Sequence, residues 1–315
     1  MSLREPIGVF LKGAGMGAAN VIPGVSGGTI ALITGIYARL IQALRHASQP
    51  STVQDLFARR WASLWSRCDG TFLLALGLGV VVSILTLARL FDYLLQRHEV
   101  PTMAFFFGLV LVSVYHVGRT VPRWDARRAA VLVLGAALAT GLAFVAPAAP
   151  NPAWWYLALC GVAAICSMIL PGLSGSFVLM LMGNYVLVIG AIKDFDLGIL
   201  LPMGLGCALG LLGFVQVLGY ALKRAPHAVI ALMTGFVLGS LLTIWPWKVP
   251  AVETVVVAGE TREVLTGYSW QLPAELDTAT FIALALMLGG GAFLHWVQLH
   301  ALREEAAREE VEHSA

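Results

Sequence analysis

VIPGVSGGTIALITGIY at residues 21–37 and ILPGLSGSFVLMLMGNY at residues 169–185 are two copies of one stretch, 148 positions apart (169 − 21). Pro23, Gly24, Ser26, Gly27, Gly35 and Tyr37 recur as Pro171, Gly172, Ser174, Gly175, Gly183 and Tyr185. Each copy places a Pro-Gly-x-Ser-Gly break inside an apolar run. In hydrocarbon such a break frees backbone N–H and C=O groups that lipid cannot satisfy, so it is tolerated only where protein or a watered cavity receives them. Two breaks in corresponding halves of a chain point to the binding site of a transporter.

Composition agrees with a membrane setting. The 315 residues are 58% hydrophobic and 12% charged, with a mean hydropathy of +0.82, whereas a soluble domain carries about 25% charged residues. Apolar stretches recur from end to end and leave no room for a separate soluble domain. A net charge of +2 says little about partners, and nothing supports nucleic-acid binding. Lys12 interrupts the first apolar run, so the N-terminus lacks the layout of a cleaved signal and is expected to stay on the protein. Cys68, Cys160, Cys166 and Cys207 show no metal-ligand spacing and read as small packing residues, and no cofactor or metal is expected.

Outside the two breaks, six runs reach the ~20 residues of a bilayer helix, at 71–93, 101–118, 128–148, 197–222, 226–247 and 277–299. The broken segments, 7–44 and 153–192, could each cross as an interrupted helix or enter and leave on one side as a hairpin. Charge separates the two. With both segments re-entrant, fifteen of the twenty Lys and Arg fall on the side of the two termini, among them Arg45, Arg59, Arg60, Arg67, Arg123, Arg127, Arg128, Lys223 and Arg224. The other side keeps five: Arg89, Arg97, Lys193, Lys248 and Arg262. The positive-inside rule makes the first side cytoplasmic. The expected fold is thus all-α, with residues 1–150 and 151–302 each forming one re-entrant hairpin plus three crossings and residues 303–315 a charged cytoplasmic tail. Three crossings is an odd number, so the halves are expected to be inverted relative to one another. A second match, AFFFGLVLVS (104–113) with ALMTGFVLGS (231–240), falls in the second crossing of each half.

Residues 53–67 place Val53, Leu56, Phe57, Trp61, Leu64 and Trp65 on one face of a helix, which predicts an interfacial helix on the inner side. β-Branched residues across 252–269, around Ala258 and Gly259, predict a short outer hairpin.

In each break the proline ends one half-helix of some 14 to 19 residues, the glycines turn the chain, and a serine caps the next. The first N–H groups of that helix, on Gly27, Gly28 and Thr29, have no intrahelical acceptor and form a cradle for an anion. Ser174, Gly175 and Ser176 predict the same cradle from the other side. Asn20 and Ser167 add polar groups just before the breaks. Arg39, Arg89 and Arg119 are secondary candidates for the anion, although Arg89 can pair with Asp92 and the other two fit the role of topology determinants. Two alternatives stay open. Helix N-termini of this kind can hold chloride, as in a small-anion channel. The pattern Gly-x-Ser-Gly also matches intramembrane serine hydrolases, whose base would have to be His116 or His295.

Three blocks carry a family resemblance: MGAANVIPGVSGGTIALITGIY (16–37), LPGLSGSFVLMLMGNY (170–185) and GFVLGSLLTIWPW (235–247). They resemble the signature blocks of the PopT family of bacterial polyprenyl-phosphate transporters, in order and over essentially the whole chain. The resemblance implies return of undecaprenyl phosphate from the outer to the inner leaflet of the bacterial cytoplasmic membrane, by alternating access at the Ser26 and Ser174 cradles. Self-association is left open. Family members often carry an acidic residue after the tyrosine of the first block; here the positions are Ala38 and Val186, which argues against coupling through a carboxylate there.

The charge count generates a topology prediction. In a cysteine-free background, single cysteines at Ser48 and Asp125 should react with an impermeant thiol reagent only from the cytoplasm, and cysteines at Asn151, Asp194 and Glu260 only from outside. Labelling of position 48 from outside would mean that the first broken segment crosses.

Overall fold

The computed structural model describes residues 4–21, 25–257 and 260–314. Pro23 and Gly24 of the first break and Ala258 and Gly259 of the hairpin tip lie outside the described residues. The chain runs α1 (Arg4–Val21), α2 (Gly27–Ile33), α3 (Tyr37–Ala47), α4 (Pro50–Phe57), α5 (Trp61–Arg67), α6 (Gly70–Arg97), α7 (Glu99–Arg119) and α8 (Ala126–Ala143). It continues with α9 (Trp154–Ile169), α10 (Gly175–Leu181), α11 (Tyr185–Asp194), α12 (Leu197–Arg224), α13 (Pro226–Ser240), β1 (Lys248–Val257), β2 (Glu260–Trp270) and α14 (Thr278–Ser314). Five helices, α6, α7, α8, α12 and α14, contain stretches long and apolar enough to cross a bilayer. The expected sixth, 226–247, is helical only to Ser240, where hydrogen-bonded turns take over.

Each broken segment has three helices rather than two. After the break, α2 and α10 last seven residues each, about 10 Å at 1.5 Å per residue, well short of the expected arm. Gly35 (φ +73°) and Gly183 (φ +75°) then turn the chain. Glycine is needed there because the left-handed region is costly for residues with a Cβ. The helices that follow are bent away by 118° and 113°.

Four helix pairs make the body: α1 with α6, α9 with α12, α7 with α14 and α8 with α13. Glycines bring each pair into backbone contact. A Cβ added at Gly13 would collide with the Leu76 carbonyl, and one at Gly161 with the Met203 carbonyl. Gly79 meets the Phe10 carbonyl and Gly206 that of Ala158. Across the other seams Gly108 meets the Met287 carbonyl and Gly290 that of Phe105, while Gly235 meets Leu132 and Gly135 meets Leu232. These contacts are copies of one another: positions on α1 map to α9 by 148 (161 − 13), on α6 and α7 to α12 and α13 by 127 (206 − 79, 235 − 108), and on α8 to α14 by 155 (290 − 135). A further repeat, LLALGLG (73–79) with LLPMGLG (200–206), becomes visible once those contacts are known. Small residues suit such seams because in lipid helix association rests on close van der Waals packing rather than on the hydrophobic effect.

The expected single helix over 53–67 is two, α4 and α5, separated where Arg59 takes φ +54°. The buried carboxylate of Asp55 holds this corner, accepting from Ser63 at 3.2 Å and pairing with Arg67 at 3.2 Å. Trp61 and Trp65 remain exposed, as an interfacial face requires. The antiparallel β1–β2 hairpin pairs Lys248 with Trp270 and carries an irregularity at Ala251/Val252. Lys248 at its base donates to the Thr243 carbonyl and lies 4.8 Å from the centre of the Tyr268 ring; burial lowers its amine to about 8.

Neighbouring glycines supply an internal control for the seams. Gly79→Ala and Gly206→Ala should each cost about 1 to 3 kcal/mol through overpacking. Gly77→Ala and Gly204→Ala, where a Cβ meets nothing within 4 Å, should be neutral or mildly stabilising, since alanine favours a helix over glycine by up to about 1 kcal/mol. Thermal unfolding in detergent measures both; equal effects at the two kinds of site would contradict the packing described.

Candidate functional site

The first break is built around Ser26. Its backbone is extended (φ −114°, ψ 132°), and its Oγ accepts from the Gly28 N–H at 3.2 Å, the capping role expected of it. The same hydroxyl donates to the Leu170 carbonyl at 3.3 Å. Asn20, on the last turn of α1, accepts from the Gly27 N–H at 2.8 Å, and the Thr29 N–H reaches the Ser26 carbonyl at 3.0 Å. The three N–H groups expected to be open are therefore all engaged within the tip. Gly27, Gly28, Ser26 and Thr29 are buried, the last two at 2% exposure.

This tip is docked on the second break. Besides the Ser26–Leu170 bond, Thr29 Oγ1 accepts from the Gly172 N–H at 2.9 Å, and the Tyr37 hydroxyl donates to the Ile169 carbonyl at 3.1 Å. Side chains of the first copy thus satisfy three backbone groups that the second break releases. Gly172 (φ +84°) is itself pressed against the backbone of Phe236 and Val237 on α13.

The second tip is not the mirror of the first. Position 168, equivalent to Asn20 (20 + 148), is Met168, which cannot accept the Gly175 N–H. Ser174 makes no capping bond; its hydroxyl lies 2.8 Å from that of Ser176. Among the described residues, the N–H groups of Gly175 and Ser176 have no hydrogen-bond partner. Ser167 faces away, donating to the Ala164 carbonyl within its own helix.

The bends at the far ends of α2 and α10 are closed by groups with no motif to mark them. Lys12 donates to the Thr34 carbonyl at 2.9 Å and Gln298 to that of Ile33. At the equivalent carbonyls, Tyr156 donates to Met182 at 3.0 Å and the Ala148 N–H to Leu181 at 2.8 Å. Asn184, fully buried, exchanges two hydrogen bonds with the Asn151 backbone. No sequence signal points to Lys12 or Gln298, because their partners are distant in the chain; an asparagine following Gly183 is the available hint for Asn184.

The arginine candidates do not join the tips. Arg39 grips Asp69 through Nε at 2.6 Å and a second nitrogen at 3.2 Å, and Glu5 through Nη1 at 2.9 Å. It also stacks on the Phe72 ring, 4.5 Å away, so it ties α3 to α6 and α1. Arg89 is exposed, and Asp92 accepts from Gln96 instead of pairing with it. Arg119 lies over the Tyr115 ring at 5.6 Å. His116 and His295 are paired with each other, Nε2 to Nδ1 at 3.2 Å, and contact neither Ser26 nor Ser174. Neither histidine is therefore placed as the base for a serine nucleophile at either tip. Among the described residues no cluster of His, Cys, Asp and Glu able to hold a metal assembles.

A family described as undecaprenyl phosphate translocase-like matches residues 16–262. A polyprenyl-phosphate transporter of Vibrio cholerae is 40% identical over 301 residues, covering 94% of this chain and 97% of that one. A polyprenyl-phosphate transporter of Staphylococcus aureus is 32% identical over 265 residues, 75% of this chain and 85% of its own. No solved structure matches. With both breaks inside the matched span and the similarity running nearly end to end, the chain belongs to the undecaprenyl phosphate translocase-like family.

Proposed function

We propose that the protein carries polyprenyl phosphate, as undecaprenyl phosphate, from the outer to the inner leaflet of the bacterial cytoplasmic membrane. The observation that carries this reading is the meeting of two serine-bearing helix breaks, in a chain whose relatives are named polyprenyl-phosphate transporters. A phosphomonoester needs several donors and close access to backbone; the apolar tail needs only lipid. The tips offer the first, and a membrane-embedded bundle leaves the tail outside.

The head group docks first at the second tip. The Ser174 and Ser176 hydroxyls can turn from one another to the phosphate, and the Gly175 and Ser176 N–H groups have no acceptor to give up. At the first tip the phosphate replaces bonds already made: it takes the place of Asn20 Oδ1 at the Gly27 N–H and of the Leu170 carbonyl at the Ser26 hydroxyl. Asn20 is then an internal stand-in for the ligand. It keeps buried donors satisfied while the site is empty, which matters because an orphaned buried donor costs about 1 to 3 kcal/mol.

The charge count supports inverted halves with both termini cytoplasmic, and the copied seams fit a duplicated chain. They also bear on the motion. Two seams, α7–α14 and α8–α13, join one half of the chain to the other, so a swing of one half against the other would have to open both. Alternating access instead moves the hairpin units, α1–α2–α6 and α9–α10–α12, against a fixed core of α7, α8, α13 and α14. Release of the Thr29–Gly172 bond is part of that step.

Two measurements test the site. Binding of labelled undecaprenyl phosphate to the purified protein should weaken at least about tenfold in Ser174→Ala/Ser176→Ala, since a charge-assisted hydrogen bond is worth about 1.5 to 3 kcal/mol and 1.4 kcal/mol is a factor of ten. Gly141→Ala, where a Cβ meets nothing, should bind as the parent does; unchanged binding in the double serine variant would make that tip structural only. Asn20→Ala should unfold at lower temperature without ligand yet gain more from added undecaprenyl phosphate than the parent. If its ligand-induced shift were smaller, Asn20 would be a ligand contact rather than a stand-in. Glycine-to-valine changes at Gly27 and Gly175 are unsuited to this purpose, because the added Cβ would strike Asn20 and Met168 before any ligand.

A further inference from the structure

Between α7 and α14 a cleft of about 680 Å³ opens to the outside of the bundle, within the roughly 300 to 1,000 Å³ usual for a ligand site. Gly108 and Gly291 lower its floor, and Leu111, Val112, Met287 and Leu288 line it. Its end is chemically different. His295 borders the cleft, bonded to His116 at 3.2 Å, and one turn further on Arg119 lies over the Tyr115 ring. Both histidines stand on helices read as crossing the membrane, where an ionisable side chain is a functional-site candidate and its partner is commonly another such side chain. The only hydrogen-bond partner of either ring among the described residues is the other histidine.

The duplication sharpens this. By the offsets that relate the seams, His116 corresponds to Thr243 (116 + 127) and His295 to Thr140 (295 − 155). The α7–α14 seam recurs as α8–α13, where Gly108 corresponds to Gly235 (108 + 127) and Gly291 to Ala136 (291 − 155), but the imidazole pair belongs to one of the two seams alone. A feature kept from only one copy of a duplicated surface serves one side of the membrane, and Arg119 puts this one at the cytoplasmic side of the topology proposed above.

We propose that the α7–α14 cleft is a second lipid site, for the substrate leaving on the cytoplasmic side: one prenyl chain lies in the cleft and its phosphate rests against His116 and His295, with Arg119 beside them. The inference rests on the polyprenyl-phosphate reading. Charge complementarity selects the occupant. The cleft is apolar along its length and ends in groups that donate to or balance an anion. A phosphate replaces the bond between the histidines with two charge-assisted ones.

The test uses full-length protein in phosphatidylcholine nanodiscs and a diazirine-tagged polyprenyl monophosphate, with tagged polyprenol and tagged phosphatidylglycerol as comparisons. Mass spectrometry reads label on segments 105–116 and 284–295. The monophosphate should label both about tenfold more than the polyprenol, the ratio that a single additional charge-assisted hydrogen bond implies. His116→Phe/His295→Phe should reduce it to the polyprenol level, and His116→Lys should retain it. Ser174→Ala/Ser176→Ala should leave cleft labelling in place, so a failure at the tips and a failure here are read separately. Equal labelling by polyprenol, or full labelling in the double histidine variant, would show only lipid-exposed surface and refute the site. Equal labelling by phosphatidylglycerol would overturn the assignment in favour of a general anionic-lipid site.

Discussion

Backbone groups released by a helix break within lipid have no water to turn to, and this requirement organises the centre of the molecule. The second break gives up the Ile169 and Leu170 carbonyls and the Gly172 N–H; Tyr37, Ser26 and Thr29 of the first break take all three. The far ends of α2 and α10 release carbonyls as well, and these are closed by Lys12, Gln298, Tyr156 and the Ala148 N–H. Polar residues that look scattered along an apolar sequence are thus the set that makes two broken helices tolerable. The same economy leaves the Ser174–Ser176 tip with donors to spare, and the proposed head-group site follows from that remainder.

The duplicated frame is regular where it concerns backbone packing and irregular where it concerns chemistry. Glycine meets carbonyl at equivalent places in both halves, because the approach distance of two helices leaves no latitude. Asn20 answers to Met168, and the His116–His295 pair to two threonines. These departures are where two copies of one backbone frame come to carry different side-chain chemistry.

Much of this is legible in the sequence. The repeated Pro-Gly-x-Ser-Gly and the recurring Gly35/Gly183 locate the two breaks, the capping of α2 by Ser26 follows from residue type, and runs of apolar residues locate the crossing helices. The engagement of Gly27 by Asn20 is not legible, since a side chain seven residues back reaches the N–H only through the path of the break. The short α2 and α10 escape notice because the apolar run continues through Gly35 and Gly183 without a change in composition; only the positive φ shows the bend. The division of 53–67 comes from Arg59 in a left-handed conformation, which no arginine announces. Arg39 resembles an anion ligand in the sequence because its partners, Glu5 and Asp69, are 34 and 30 residues away.

The pairing of α7 with α14 and of α8 with α13 has a consequence for how such a chain could arise. Each of these seams joins a helix from one half to a helix from the other, so neither half can bury the glycine-lined faces of its last two crossing helices on its own. A polypeptide of half this length would expose two flat backbone surfaces until it met a second copy, and it would exist only as a dimer. Joining two such copies in one chain leaves both seams as they are and frees each copy to diverge in sequence, as Asn20 and Met168 have.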